Sequence, residues 1–265
     1  MRSSPTPKKP QPPKNPTFPV RSNFDKSASS VGRSSYFEPV PVSSRAGSPG
    51  LAVDASRLKL VRSLEARGVR DPSVLQAITQ IDRHLFVDAG FASLAYQDEA
   101  LPIGFGQTIS KPSTVARMLE LMGARMQPAL RKKAKVLEVG TGCGYQAACM
   151  AQLFLEVYSI ERVKGLHELA RQNLRTLRLS NLRLVFGDGY LGVPTAAPFD
   201  AIIVAAAAPQ VPQALLEQLK IGGRLVIPVG DKQQVLQVID RVGTEDYEMT
   251  EVDAVRFVPL VDGTR

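Results

Sequence analysis

Three carboxylates and three glycines stand at spacings that could do chemistry. In Val136-Leu-Glu-Val-Gly-Thr-Gly-Cys-Gly144, Glu138 precedes Gly140 by two residues, and Gly142 and Gly144 follow at alternate positions. Glu161 ends the apolar run Val157-Tyr-Ser-Ile-Glu161, 21 residues after Gly140, and Asp188 sits between Gly187 and Gly189 after a third run. Glycines permit positive φ and let backbone approach a ligand closely. A dinucleotide site would present G-x-G-x-x-G to a pyrophosphate. In this chain the third glycine comes one residue early, and a nearby carboxylate would repel phosphate but attract a cation.

The pattern therefore suits a positively charged nucleoside without phosphates, and S-adenosyl-L-methionine, with its sulfonium and α-ammonium, fits. Its candidate binding residues are Glu138, Gly140, Thr141, Gly142, Gly144, Glu161 and Asp188. Glu161 has the spacing of an acid that accepts from ribose hydroxyls, and Asp188 is placed to accept from an adenine amino group. Each acid alone reads equally well as a strand-end charge, a turn residue or a cap. Three of them on successive strand ends beside a glycine loop favour a nucleoside site.

The elements that must position these groups follow from periodicity. Short apolar runs at 135–139, 156–160, 182–186, 199–204 and 223–229 alternate at first with helical patterns such as Leu166, Leu169, Ala170, Leu174 and Leu177. That predicts a doubly wound α/β fold with a mostly parallel, Rossmann-like sheet. Runs 234–239 and 252–260, with no helix between them, predict an antiparallel hairpin at one edge. Ahead of the sheet, Asp54 is expected to cap a helix bearing Leu58, Val61 and Leu64 and stopped at Gly68, and Asp71-Pro72 to start a second with Leu75 and Ile78. A third helix is written in Val115, Met118, Leu119 and Met122, preceded by a loop over 102–112.

Composition divides the chain. Half of the 20 prolines lie in residues 1–50, which contain no Leu or Ile and carry eight Lys/Arg against two acids, so +6 of the formal +8 is theirs. Such a segment cannot pack a core, and it is read as a disordered Pro/Ser-rich basic tail, with residues 51–265 as the folded domain. Within that domain, 51–130 is expected to be a helical substrate-side segment and 131–265 the cofactor-binding core. The tail lacks the Arg/aromatic interleaving of a dedicated nucleic-acid segment. There is no apolar leader and no run long enough to span a bilayer, which points to a cytoplasmic protein without a membrane partner. Cys143 and Cys149, six apart, do not have the spacing of a zinc pair, and no metal site is expected.

Several separate segments resemble the protein-L-isoaspartate O-methyltransferase family of class I methyltransferases. They are Leu101-Pro-Ile-Gly-Phe-Gly-Gln-Thr-Ile-Ser110, Val136 to Gln146, Tyr158-Ser-Ile-Glu-Arg162, Gly187-Asp-Gly189, Ala197 to Val204, Gly222 to Gly230 and Ala254-Val-Arg-Phe-Val-Pro-Leu260. The glycine motif alone is shared by class I methyltransferases in general, whereas Gln-Thr-Ile-Ser is specific. The resemblance implies methyl transfer to the α-carboxylate of L-isoaspartyl residues in damaged proteins and peptides, with repair through a succinimide. It places Ser110 and Thr108 at the reaction centre and Gln107, Ile109, Arg256 and Val258 near the peptide. The chain departs from the family pattern at Cys143, Ala205, Lys111 and Ser113.

That chemistry asks little of the protein. A carboxylate is already ionised at neutral pH, so no general base is needed, and the two histidines, His84 and His167, fall in helical patterns. Alignment and exclusion of water remain. Ser110 is assigned the role of donating to the acceptor carboxylate, against the alternative that it only caps the following helix. A class I methyltransferase acting on RNA or a small metabolite, or a non-catalytic module that binds the same cofactor, would share the glycine loop.

Overall fold

The computed structural model describes residues 50–265. The expected tail, apart from Gly50, lies outside the described residues. Helix α1, Gly50–Ala66, starts earlier than the sequence suggests, so Asp54 lies within it rather than capping it. Its buried stripe is Leu60 and Leu64, while Leu58 is 56% exposed, because α1 rests on the later helices through the other side of its apolar arc. Helix α2, Pro72–Gln80, begins as expected, with the Asp71 carboxylate accepting from the N–H groups of Ser73 and Val74. Two 3₁₀ turns, Arg83–Phe86 and Ala89–Leu94, follow.

The 102–112 segment is a hairpin rather than a loop. Strand β1, Leu101–Gly104, pairs antiparallel with β2, Gln107–Ile109, across a turn in which Gly104, Phe105 and Gly106 all have positive φ. The segment 51–130 is thus helical with a hairpin inserted. Helix α3, Pro112–Gly123, buries all four of its expected positions, and short α4, Pro128–Arg131, leads to the sheet.

Seven strands form that sheet: β3 Lys135–Val139, β4 Glu156–Glu161, β5 Leu182–Phe186, β6 Phe199–Val204, β7 Leu219–Val229, β8 Gln234–Arg241 and β9 Tyr247–Val255. Their order is β5-β4-β3-β6-β7-β8-β9, parallel through β7 and antiparallel beyond it. The edge hairpin is real, but its second strand spans 247–255; residues 256–260 leave the sheet and run towards the carboxyl ends of the parallel strands, where Pro259 bridges to Ala207. Helices α5, Tyr145–Leu153, and α6, Lys164–Leu174, follow β3 and β4, and α7, Gln213–Glu217, precedes β7.

Alternation along β3 assigns the two faces. Val136 joins the core formed with α1, α2, α3 and α5, whereas Leu137 and Val139 join the core on the α7 side. Glu138, two residues after Val136, must therefore point to the first of these faces. It is fully buried there. The strand order reverses beside β3, and the crevice at such a point is where open α/β sheets bind ligands.

Candidate active site

The carboxyl ends of β3, β4 and β6 and the β1–β2 hairpin enclose a cavity of about 350 Å³. Gly140, Gly142 and Gly144 all have positive φ, which bends the chain sharply between β3 and α5. The N–H groups of Gly140 and Thr141 both reach the Ile160 carbonyl, at 2.9 and 3.3 Å, so the loop is tied down on β4. Glu161 completes the tie, one carboxylate oxygen accepting from Gly142 N–H and the other from Val163 N–H, each at 2.9 Å. Both oxygens keep a lone pair for a ligand hydroxyl.

Glu138 is held by the β3–β4 register, which sets it opposite Ser159. The Ser159 hydroxyl donates to Glu138 Oε2 and lies 2.6 Å from the Thr141 hydroxyl, so Thr141 donates to Ser159 in turn. Oε1 is buried without a hydrogen-bond partner. Burial pushes the Glu138 carboxyl up to about 8, against the opposing effects of the Ser159 hydroxyl and the neighbouring Gln146 amide. An acid that lines a cavity with an unpartnered oxygen is suited to a cationic group. With the glycine backbone and Glu161 beside it, the residues fit S-adenosyl-L-methionine.

A second cavity of about 380 Å³ adjoins the first, and the two share Thr108, Ser110, Ala205 and Val258 as a common wall. Lys111, Arg256 and Phe257 also line it, with no Asp or Glu in its lining. The cap of α3 falls on Lys111, which makes no side-chain cap bond, and the Ser113 N–H is taken by Asp98 at 2.8 Å. The Ser110 hydroxyl is therefore not used as a helix cap.

Most of the residues singled out in the sequence come together. Glu138, Gly140, Thr141, Gly142, Glu161, Gln107, Thr108, Ile109, Ser110 and Val258 line the first cavity, and Arg256 lines the second. Gly144 and Asp188 fall outside both linings. A Cβ on Gly144 would lie 2.8 Å from Leu174 Cδ1, so this glycine serves the packing of α5 against α6. The Asp188 oxygens accept from Tyr190 N–H at 2.8 Å and Gly263 N–H at 2.7 Å, and Gly189 forms the adjacent wall instead.

Residues the sequence did not flag include Ile103, Gln146, Arg162 and the C-terminal strap 261–265. The strap crosses the cavity mouth: Arg265 N–H donates to the Arg162 carbonyl at 2.9 Å, and its guanidinium reaches the Phe105 carbonyl at 3.2 Å. No local pattern announces it, since its partners lie about 75 to 160 positions away in sequence.

A glycine loop and a buried acid at the reversal point of a mostly parallel sheet, with an antiparallel edge, define a class I methyltransferase fold. The fold is similar to the crystal structure of a putative protein-L-isoaspartate O-methyltransferase from Plasmodium falciparum in complex with S-adenosyl-L-homocysteine. The TM-score is 0.68 at 27% identity, over 77% of this chain and 97% of that one. A second solved protein-L-isoaspartate O-methyltransferase gives 0.66 at 30% identity, over 77% of this chain and 65% of that one. The family model for protein-L-isoaspartate(D-aspartate) O-methyltransferase (PCMT) matches residues 55–265. Similar curated proteins include the protein-L-isoaspartate O-methyltransferases of Ralstonia nicotianae, 54% identical over 83% of this chain and 72% of its own length, and of Burkholderia vietnamiensis, 55% identical over 82% and 70%. The chain belongs to the protein-L-isoaspartate(D-aspartate) O-methyltransferase family.

Proposed function

We infer that the protein methylates the α-carboxylate of L-isoaspartyl residues in damaged proteins and peptides, initiating their repair through a succinimide. The observation that carries this reading is the wall shared by the two cavities. Ser110 and Thr108 face both the cavity that holds Glu138 and Glu161 and the one that opens past Lys111 and Arg256. S-adenosyl-L-methionine, when bound, supplies an electrophilic methyl group on a sulfonium.

The chain's residues do the rest. Glu138 offers its free oxygen to positive charge, Glu161 accepts from ribose hydroxyls, and the backbone of Gly140 and Gly142 permits close approach. On the acceptor side the Ser110 hydroxyl donates to the isoaspartyl carboxylate and Thr108 narrows the passage. That carboxylate is already ionised at neutral pH, so no side chain has to remove a proton. Ile103, Val115, Ile160, Leu166 and Leu260 give the first cavity an apolar lining that limits water at the reacting atoms. Val258 and Arg256 present backbone to an extended peptide beyond the end of β9.

Residues 51–265 form the catalytic unit in this reading, and the basic tail adds nothing to catalysis. Among the described residues no helix is long and apolar enough to cross a membrane. We place the enzyme in the cytoplasm, acting on isoaspartyl-containing proteins with no dedicated nucleic-acid partner. A methyl-transfer assay with an isoaspartyl peptide beside its aspartyl twin tests the function. Turnover of the isoaspartyl peptide alone is expected; equal labelling of both, or of neither, rejects it.

A further inference from the structure

Arg83 is a fully buried cation that the site described above does not use. Its Nε donates to the Ala95 carbonyl at 2.8 Å, and one terminal nitrogen donates to the carbonyls of Ser110 at 2.8 Å and Glu99 at 3.3 Å. The other terminal nitrogen, Nη1, is buried without a partner. The guanidinium carbon lies 5.0 Å from the centre of the Tyr145 ring. Tyr145 itself lines the cofactor cavity, so a single layer of residues separates this charge from the site.

Arg131 shows what a buried arginine in this fold otherwise has. It pairs with the Asp71 carboxylate at 2.6 Å. No ion pair to Arg83 is present among the described residues; Asp98, an acid that acts on it through space, is itself taken by Ser113 N–H at 2.8 Å and by Arg67 at 3.4 Å. A guanidinium stays cationic, and a buried cation without a counter-charge costs stability. Neutral amide donors could satisfy carbonyls without that cost, so the positive charge itself calls for a partner.

We propose that Arg83 is a positioning residue for the methyl acceptor: it fixes the Ser110 peptide and sets, behind it, a positive charge whose counter-charge is the substrate's carboxylate. The proposal rests on the reading of the site given above. It accounts for an acceptor cavity without acids, and for a charge placed where bulk salt cannot screen it. The step involves no proton and no bond to Arg83.

The test compares two peptides identical except that one carries the free isoaspartyl α-carboxylate and the other its α-carboxamide. Their binding is measured by titration calorimetry with S-adenosyl-L-homocysteine saturating the enzyme. Arg83→Gln keeps amide donors and removes the charge. It is expected to lower the preference for carboxylate over carboxamide by about tenfold or more while leaving cofactor affinity unchanged. Arg83→Lys keeps the charge and loses the fork, so the preference stays while turnover falls. A purely structural role would weaken both peptides together. Undiminished preference in Arg83→Gln overturns the proposal. If Arg83→Gln does not bind the cofactor product, Arg83→Lys decides: retained preference supports the proposal, and lost preference overturns it. Failure of both variants to bind the cofactor product makes Arg83 a pillar of the fold and also overturns it. A wild-type enzyme that methylates no isoaspartyl peptide would instead remove the functional reading on which this rests.

Discussion

Cofactor binding should release a proton from Glu138, and the structure sets the size of the effect. Before a ligand binds, burial holds this carboxyl at about 8. At pH 7 it is then about 0.9 protonated, and at pH 9 about 0.1. A cation beside the unpartnered Oε1 favours the ionised form, so binding at pH 7 should expel about 0.9 proton. Provided the bound carboxyl titrates well below pH 6, apparent affinity should rise about fifty-fold between pH 6 and 8 and level off above. Titration calorimetry in two buffers of different ionisation enthalpy measures the released proton directly. The ligand's own α-ammonium titrates in a similar range, so the quantity to compare is wild type minus Glu138→Gln, which retains the ligand's contribution and lacks the carboxyl's. A difference below about 0.2 proton at pH 7 would refute the reasoning, because Glu138 would then be ionised before the cation arrives or remain neutral after it.

The same shift has a stability consequence of opposite sense. The folded carboxyl binds protons more tightly than the unfolded one, so the protein assayed without cofactor should lose stability as pH rises from about 4.5 to 8, by up to about 5 kcal/mol, with no further loss above; Glu138→Gln should flatten that profile in denaturant melts. Glu161→Ala removes the acceptor for Gly142 and Val163 N–H as well as the proposed ribose contact, and should weaken cofactor binding by roughly 1–3 kcal/mol in calorimetry; wild-type affinity in a folded variant would dismiss Glu161 from the site. Ser110→Ala should lower turnover by roughly 10- to 100-fold with cofactor affinity intact, and, since the α3 cap lies on Lys111, should shift stability by less than about 0.5 kcal/mol; wild-type turnover would pass the acceptor role to backbone N–H groups of 107–110. Removing residues 1–49 should leave melting temperature and peptide turnover unchanged, as their composition can bury little, and a marked fall in either would show that the tail docks.

Local physics wrote much of this protein legibly into its sequence. Apolar runs of strand length place β3 to β7 within a few residues: β3, β4 and β6 are largely buried and so need nearly continuous apolar side chains, and edge strand β5 keeps a run of the same length though none of its residues is fully buried. Asp71-Pro72 and the Gly140 and Gly142 bends are decided by neighbours in the chain: a cap is made with the next turn, and a positive φ belongs to its own residue. Tertiary structure decided the rest. Leu58 and Leu60 fall on opposite faces of α1, and only the docking of that helix decides that the Leu60 face is the buried one. Gly144 looks like a ligand glycine until Leu174 is seen against it. Glu138 could be read as an acid facing a cation, but its raised pKa comes from burial that only the assembled sheet and helices supply, while the β3–β4 register brings up Ser159, 21 residues away, to oppose it. Arg83 and the 261–265 strap were hidden for the same reason. Their meaning comes from backbone carbonyls and N–H groups, which every residue carries alike, so only the assembled fold selects which of them they meet.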